Sequence, residues 1–147
     1  AIVMTDAIVE LADKHQLGDE ALAGVLAHEI GHVMHRHTTR MLVEQGVLNV
    51  GLGLALGDVS WLLSSGSSLL TGLSYRRSHE TEADCFAVAL MQRTGGRAEP
   101  MADLLLHMEG GGKPVAKDRA WMELLSSHPA TPERALALKN GAAPACK

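Results

Sequence analysis

The sequence is poor in aromatic side chains, in cysteine and in positive charge. Aromatic residues make up 3% of its 147 residues, and 13 Lys and Arg are outnumbered by 17 Asp and Glu, for a formal net charge of −4. Nucleic-acid-binding proteins normally carry a basic excess and often stack aromatic rings on bases, so no nucleic-acid partner is expected. Two cysteines, Cys85 and Cys146, exclude a disulfide-rich scaffold and a cysteine-based zinc finger. Whether the two pair with each other stays open.

Long hydrophobic runs are also lacking. The apolar segment 46–74 is interrupted by glycines and by Asp58, whereas a helix that spans a bilayer needs about 20 apolar residues in a row. The segment fits a buried helix or hairpin, a mobile flap, or a surface that faces a membrane or a partner protein. The chain opens on Ala1-Ile2-Val3 without the basic start of a signal peptide, and we interpret it as truncated at its N-terminus.

The sequence does contain a series of helical patterns. With 46% hydrophobic residues, it is long enough to form one domain with a sizeable core over residues 1–147. Apolar residues recur at helical spacing from about Asp19 to Gln45, and a second long helix is predicted from Tyr75 to Thr94. Shorter elements complete the prediction of a mainly α (α+β) fold with a minimal β part: a strand at Ile2 to Met4, and helices at Asp6 to Gly18, Pro100 to Met108, Trp121 to Leu125 and Pro132 to Lys139.

The first long helix carries the sequence His28-Glu29-Ile30-Gly31-His32. Residues four apart lie one turn apart on the same helix face, so His28 and His32 can bind one zinc ion together. Glu29 lies beside that pair and can act as a general base, taking a proton from the attacking water and passing it to the leaving amine. Gly31 allows another element to approach closely. The metzincin variant of this motif is disfavoured because Thr38 stands where its third histidine would be.

The second long helix offers acidic partners for these histidines. A catalytic zinc site needs a third protein ligand and one open position, and Glu80 can supply that ligand. Asp84 lies one turn later on the same face, where it can accept a hydrogen bond from the nitrogen of His28 that does not bind the metal. Glu82 falls on a different face and is ranked below Glu80 as a ligand. Without the histidine motif these acids would simply be solvated charges.

A third group follows near the C-terminus, where His128-Pro129 precedes a short helix that carries Arg134. An imidazole and a guanidinium near zinc can stabilise the oxyanion that forms when water attacks a peptide carbonyl. His128 can instead occupy the open metal position and hold the site inactive. Taken alone, the two residues would be a turn histidine and a surface arginine.

Together, H-E-I-G-H, then E-x-E-A-D about fifty residues later, then S-H-P-x-x-x-x-R resemble metallopeptidase family 48. These gluzincin proteases include HtpX-like membrane proteases, CAAX prenyl proteases and periplasmic proteases of the BepA type. The resemblance covers roughly residues 2 to 140 and implies a zincin-like catalytic domain that binds one Zn²⁺. Carried over by position, it implies zinc ligands His28, His32 and Glu80, the general base Glu29, an outer carboxylate at Asp84, and the residues His128 and Arg134 near the metal.

The resemblance implies a metalloendopeptidase that acts on unfolded or misfolded proteins at or near a bacterial membrane. Since the transmembrane helices of two branches are not evident, it favours a periplasmic or membrane-associated location, with segment 46–74 as a contact for membrane or partner. The alternative is a zinc-stabilised, non-enzymatic module that binds unfolded or membrane proteins. Glu29 argues against that alternative, because a structural zinc site is closed by four ligands and needs no base.

Overall fold

The computed structural model of the chain describes residues 2–56, 60–110, 128, 132–140 and 146. The regular elements in these ranges are helices: α1 (Asp6–Lys14), α2 (Gly18–Met34), α3 (His37–Leu56), α4 (Ser60–Thr94), α5 (Glu99–Gly110) and α6 (Pro132–Lys139). The prediction of a mainly α fold is confirmed. The strand predicted at Ile2 to Met4 is wrong, because the described residues provide no second strand for it to pair with. The helix predicted at Trp121 to Leu125 lies outside the described residues.

The helix predicted from Asp19 to Gln45 is two helices. α2 ends at Met34 and α3 begins at His37, and between them Arg36 adopts a left-handed backbone conformation with φ 54°. A residue in this conformation ends an α-helix. The break resets the helical phase, so side chains after Arg36 do not follow the periodicity of α2.

Segment 46–74 is helical over its described residues. It comprises the second half of α3 and the first part of α4, which begins at Ser60 and not at Tyr75 as predicted. Exposed apolar side chains recur along α3 every three or four positions, at Val43, Val47, Val50 and Leu54. No described helix is both long enough and apolar enough to cross a membrane.

The core lies where α2 packs against α4 and α5, with α6 against α5. Its largest fully buried side chains are Met101, Leu104 and Leu138. Small residues bring the helices close together. A Cβ at Gly31 would lie 3.0 Å from the Cα of Ala83 and 3.1 Å from its carbonyl oxygen. The predicted close approach at Gly31 is therefore confirmed, and its partner is α4.

A disulfide joins Cys85 of α4 to Cys146, with their Cα atoms 5.5 Å apart. The two residues are 61 positions apart in the sequence. The bond answers the question that the sequence left open, and it fixes residue 146 to the C-terminal third of α4.

Candidate metal centre

The His-Glu-Ile-Gly-His sequence lies in the last three turns of α2. The Nε2 atoms of His28 and His32 are 3.0 Å apart, which is the result of their one-turn spacing on one helix face. His28 is buried, with 3% of its surface exposed. Both imidazoles direct Nε2 toward the same point.

Glu80 reaches this point from α4. One carboxylate oxygen lies 3.4 Å from Nε2 of His28 and the other lies 3.3 Å from Nε2 of His32. Glu80 is itself 3% exposed. The close contact of α2 with α4 at Gly31 holds the carboxylate within this distance.

These three side chains suit a zinc ion on the chemistry and spacing of their ligand atoms. Two imidazoles and a carboxylate are a frequent catalytic zinc set, and with metal–ligand bonds of about 2.0–2.1 Å adjacent tetrahedral ligands lie about 3.3 Å apart. The distances of 3.0, 3.3 and 3.4 Å between their ligand atoms fall close to that value. A fourth ligand atom, from His128, lies within 4.8 Å of the other three.

His128 and Glu29 lie on the remaining side of the cluster. Nε2 of His128 is 3.5 Å from a carboxylate oxygen of Glu29, and Nδ1 is 3.4 Å from Glu80. A cavity of about 240 Å³ begins at this side, and its lining includes Glu29, His32, Glu80, His128 and, on α3, Thr38 and Met41. Glu29 therefore borders both the ligand cluster and a space that can admit a substrate.

Asp84 and Arg134 form what we call the carboxylate side of the centre. Nδ1 of His28 lies 2.9 Å from Asp84. Nε and Nη2 of Arg134 donate to the two oxygens of Asp84 at 2.7 and 2.8 Å, and Nη1 lies 2.7 Å from Glu80. All three guanidinium nitrogens thus contact carboxylates, so the geometry favours a positioning role for Arg134 over the predicted contact with an oxyanion.

His37, Glu82 and Arg40 form the opposite, imidazole side, which no motif in the sequence predicts. Nδ1 of His37 lies 2.8 Å from Nδ1 of His32. Nε2 of His37 lies 3.2 Å from Glu82, and Nη1 of Arg40 donates to the same oxygen at 2.8 Å. His37 is 2% exposed. The sequence gives one indication of this side, which is the presence of four histidines within residues 28–37.

The two sides have opposite effects on protonation. Burial opposes the charged form of His28, but hydrogen bonds with Asp84 and Glu80 outweigh it and raise the pKa of this imidazole to about 9. Burial lowers the pKa of His37 to about 4, against the opposing effect of its hydrogen bond with Glu82. At neutral pH His37 is therefore uncharged, whereas His28 carries a proton that a metal ion must displace.

The acidic groups remain ionised despite their burial. Burial alone would raise the pKa of Glu80, but contacts with His128, His28 and His32 hold it well below its usual range. The pKa of Asp84 is lowered in the same way, against burial, by Arg134 and His28. Glu80 therefore presents an ionised carboxylate, the form that can bind a metal ion, to the point where the two imidazoles converge.

Comparison with known proteins identifies similar chains. A model of peptidase family M48 matches residues 1–142. The beta-barrel assembly-enhancing protease of Yersinia pestis is 29% identical, over 96% of this chain and 30% of its own length. The protease of the same name from Escherichia coli is 29% identical, over 92% of this chain and 29% of its own length. The mitochondrial metalloendopeptidase OMA1 of Saccharomyces cerevisiae is 34% identical, over 79% of this chain and 34% of its own length.

The chain thus spans about a third of the length of these curated relatives. No solved structure matches it significantly.

Proposed function

The chain belongs to peptidase family M48, and we propose that it is a zinc-dependent metalloendopeptidase in which Glu29 is the general base. The observation that carries the proposal is the convergence of His28, His32 and Glu80 at mutual distances of 3.0–3.4 Å, beside a cavity that Glu29 also lines. A zinc ion held by these three residues would supply Lewis-acid polarisation of the scissile carbonyl and would promote ionisation of water.

The chain's own residues supply the proton transfers and the positioning. Glu29 takes the proton of the attacking water and passes it to the leaving nitrogen. Asp84 holds the imidazole of His28 in one tautomer, and Arg134 holds the carboxylates of Asp84 and Glu80. His128 lies 3.5 Å from Glu29, where it either donates a hydrogen bond to the developing oxyanion or takes the fourth ligand position.

We extend the proposal to unfolded or misfolded protein substrates at the bacterial cell envelope, in the periplasm or at a membrane. The support is twofold: relatives named for enhancing beta-barrel assembly, and the exposed apolar stripe Val43, Val47, Val50 and Leu54 in α3. Such a stripe can bind an extended apolar polypeptide or a membrane protein.

The decisive test replaces Glu29 with Gln, which removes the base and keeps the shape of the side chain. We expect Glu29→Gln to bind about one zinc per chain, as the wild type does, and to lose about 10²-fold or more of its proteolysis of an unfolded protein. The matched control is Glu10→Gln, on the exposed surface of α1, which should leave both quantities unchanged. Full proteolysis by Glu29→Gln would refute the mechanism, whereas a wild type that binds zinc but cleaves no unfolded protein would favour the non-enzymatic binding module.

The role of the stripe has its own test. Val47→Asp should raise KM for an unfolded protein severalfold and leave cleavage of a short peptide unchanged, because only the longer substrate extends from the cavity to the stripe. Gln45→Asp adds the same charge at another exposed position of α3 and serves as the control. Equal KM values for the two variants would remove the stripe from the proposal.

A further inference from the structure

The metal-ligand candidate His32 makes a second contact, away from the ligand cluster. Its Nε2 faces Glu80 and His28, while its Nδ1 lies 2.8 Å from Nδ1 of His37. Two nitrogens at this distance share one proton, so one ring donates and the other accepts. The roles of the two rings decide what His37 does for the centre.

Metal binding fixes the direction of this hydrogen bond. A neutral histidine that binds a metal through Nε2 carries its proton on Nδ1. His32 is then the donor and Nδ1 of His37 is the acceptor, which leaves the single proton of His37 on Nε2. Glu82 lies 3.2 Å from that nitrogen and accepts the proton. One arrangement of protons therefore satisfies both bonds.

The surrounding residues hold His37 in this arrangement. Arg40, one turn further along α3, donates to the same oxygen of Glu82 at 2.8 Å and fixes the carboxylate. The ring of His79 stacks on that of His37, with centroids 4.3 Å apart and planes 12° from parallel. The break at Arg36 starts α3 at His37 and brings its ring to His32.

We propose that His37, supported by Glu82 and Arg40, is the positioning residue for His32: it accepts the Nδ1 proton of that ligand and so fixes its tautomer and ring orientation for metal binding. The inference rests on the proposed zinc site. His37 then accepts a hydrogen bond from Nδ1 of His32, as Asp84 does from Nδ1 of His28. The acceptor is neutral for His32 and charged for His28.

A second metal ion is the competing explanation of the same residues. Ligand atoms of His35, His37 and Glu82 lie within 4.8 Å of one another. A metal on Nε2 of His37 would, however, place the proton of that ring on Nδ1, directly against the Nδ1 proton of His32. The guanidinium of Arg40 also lies 2.8 Å from the oxygen of Glu82 that is nearest to Nε2 of His37. The hydrogen-bonded arrangement is therefore favoured while His32 binds a metal.

The test is the zinc affinity of the protein, measured by competition with a chelator, together with the visible spectrum of the Co²⁺-substituted form. His37→Phe keeps a ring but removes the acceptor, and we expect the Kd for zinc to rise 10–100-fold and the cobalt bands to shift. His37→Asn, whose side-chain oxygen can take the place of Nδ1, should recover most of the affinity. His15→Phe, at the end of α1 with its ring against that of His107, is the control and should change neither readout.

The outcomes separate this inference from the proposed function. If the wild-type protein binds no zinc, the proposed zinc site itself is refuted. Wild type with one zinc and a His37→Phe variant with equal affinity and the same cobalt spectrum would overturn the inference alone. Two zinc ions per wild-type chain would overturn it in favour of the second metal site. If His37→Phe does not fold, Glu82→Leu decides: a severalfold rise in Kd supports the inference and an unchanged Kd overturns it.

Discussion

The two sides of the metal centre hold neighbouring histidines by different means. On the carboxylate side, His28 meets the buried anion of Asp84, which Arg134 grips with two hydrogen bonds. On the imidazole side, His32 meets the neutral ring of His37, and the anion, Glu82, lies one residue further out, with 35% of its side chain exposed. A buried charge pair is strong but costly to disturb, whereas a neutral acceptor with a solvated anion behind it tolerates change.

The largest expected difference between the sides is in stability. Asp84→Ala removes the carboxylate that pairs with the mostly buried Arg134, and we expect the free energy of unfolding to fall by about 3 kcal/mol. Glu82→Ala removes a partly exposed partner and should cost about 1 kcal/mol or less. Urea unfolding of the chelator-treated proteins at pH 7 measures both. Equal losses would mean that the two sides do not differ as described.

A matched pair of arginine replacements gives the next largest effect. Arg134 contacts both Asp84 and Glu80 with three nitrogens, a fork that lysine cannot reproduce. We expect Arg134→Lys to raise the Kd for zinc about tenfold, because the ligand Glu80 loses its support. Arg40→Lys, which exchanges one hydrogen bond on an exposed side chain, should stay within about twofold of wild type. Competition with a chelator measures both Kd values. A larger rise in Kd for Arg40→Lys than for Arg134→Lys would contradict the stronger role assigned to Arg134.

The two sides should also give the metal-free protein a pH dependence of stability with opposite signs. The pKa of His28 is raised from 6.5 to about 9, so its contribution to stability is fully present below about pH 6.5 and is lost as the pH rises to 9. The pKa of His37 is lowered from 6.5 to about 4, so its contribution is present above pH 6.5 and is lost as the pH falls to 4. Each limb has a slope of at most about 1.4 kcal/mol per pH unit.

Thermal unfolding in the presence of a chelator, between pH 4 and pH 9, tests this prediction. His37→Phe should flatten the dependence between pH 4 and 6.5 and leave the limb above pH 6.5 intact. A variant profile that is parallel to wild type throughout would show that His37 titrates normally.

The carboxylate side was accessible to sequence reasoning because its geometry lies within regular helices. His28 and His32 are four residues apart in α2, and Glu80 and Asp84 are four apart in α4, so each pair shares a helix face. The sequence did not indicate that the guanidinium of Arg134 contacts Asp84 and Glu80. Two ionised carboxylates on one face of α4 form a stronger attraction for a guanidinium than the open cavity does.

The imidazole side depends on a break that the periodicity does not reveal. In a continuous helix, His37 would lie about 140° around the axis from His32, since five residues at about 100° each make that rotation. The left-handed conformation of Arg36 ends α2 and changes the direction of the chain, so His37 can contact His32. Similarly, the glycines of segment 46–74 led us to expect an interruption before Tyr75. Each glycine costs a helix only about 1 kcal/mol, and α3 and α4 pack against each other.

The absence of a side chain at Gly31 also bears on which ion the centre accepts. A methyl group there would push α2 and α4 apart, since it would lie 3.0 Å from the Cα of Ala83. Glu80 lies one turn before Ala83 and would retreat with it, which would widen the cage. Zinc holds its ligands at about 2.0 Å, whereas calcium takes oxygens at about 2.4 Å and more of them. Gly31, which lies outside the proposed ligand set, would thus contribute to the preference of the proposed centre for zinc over calcium.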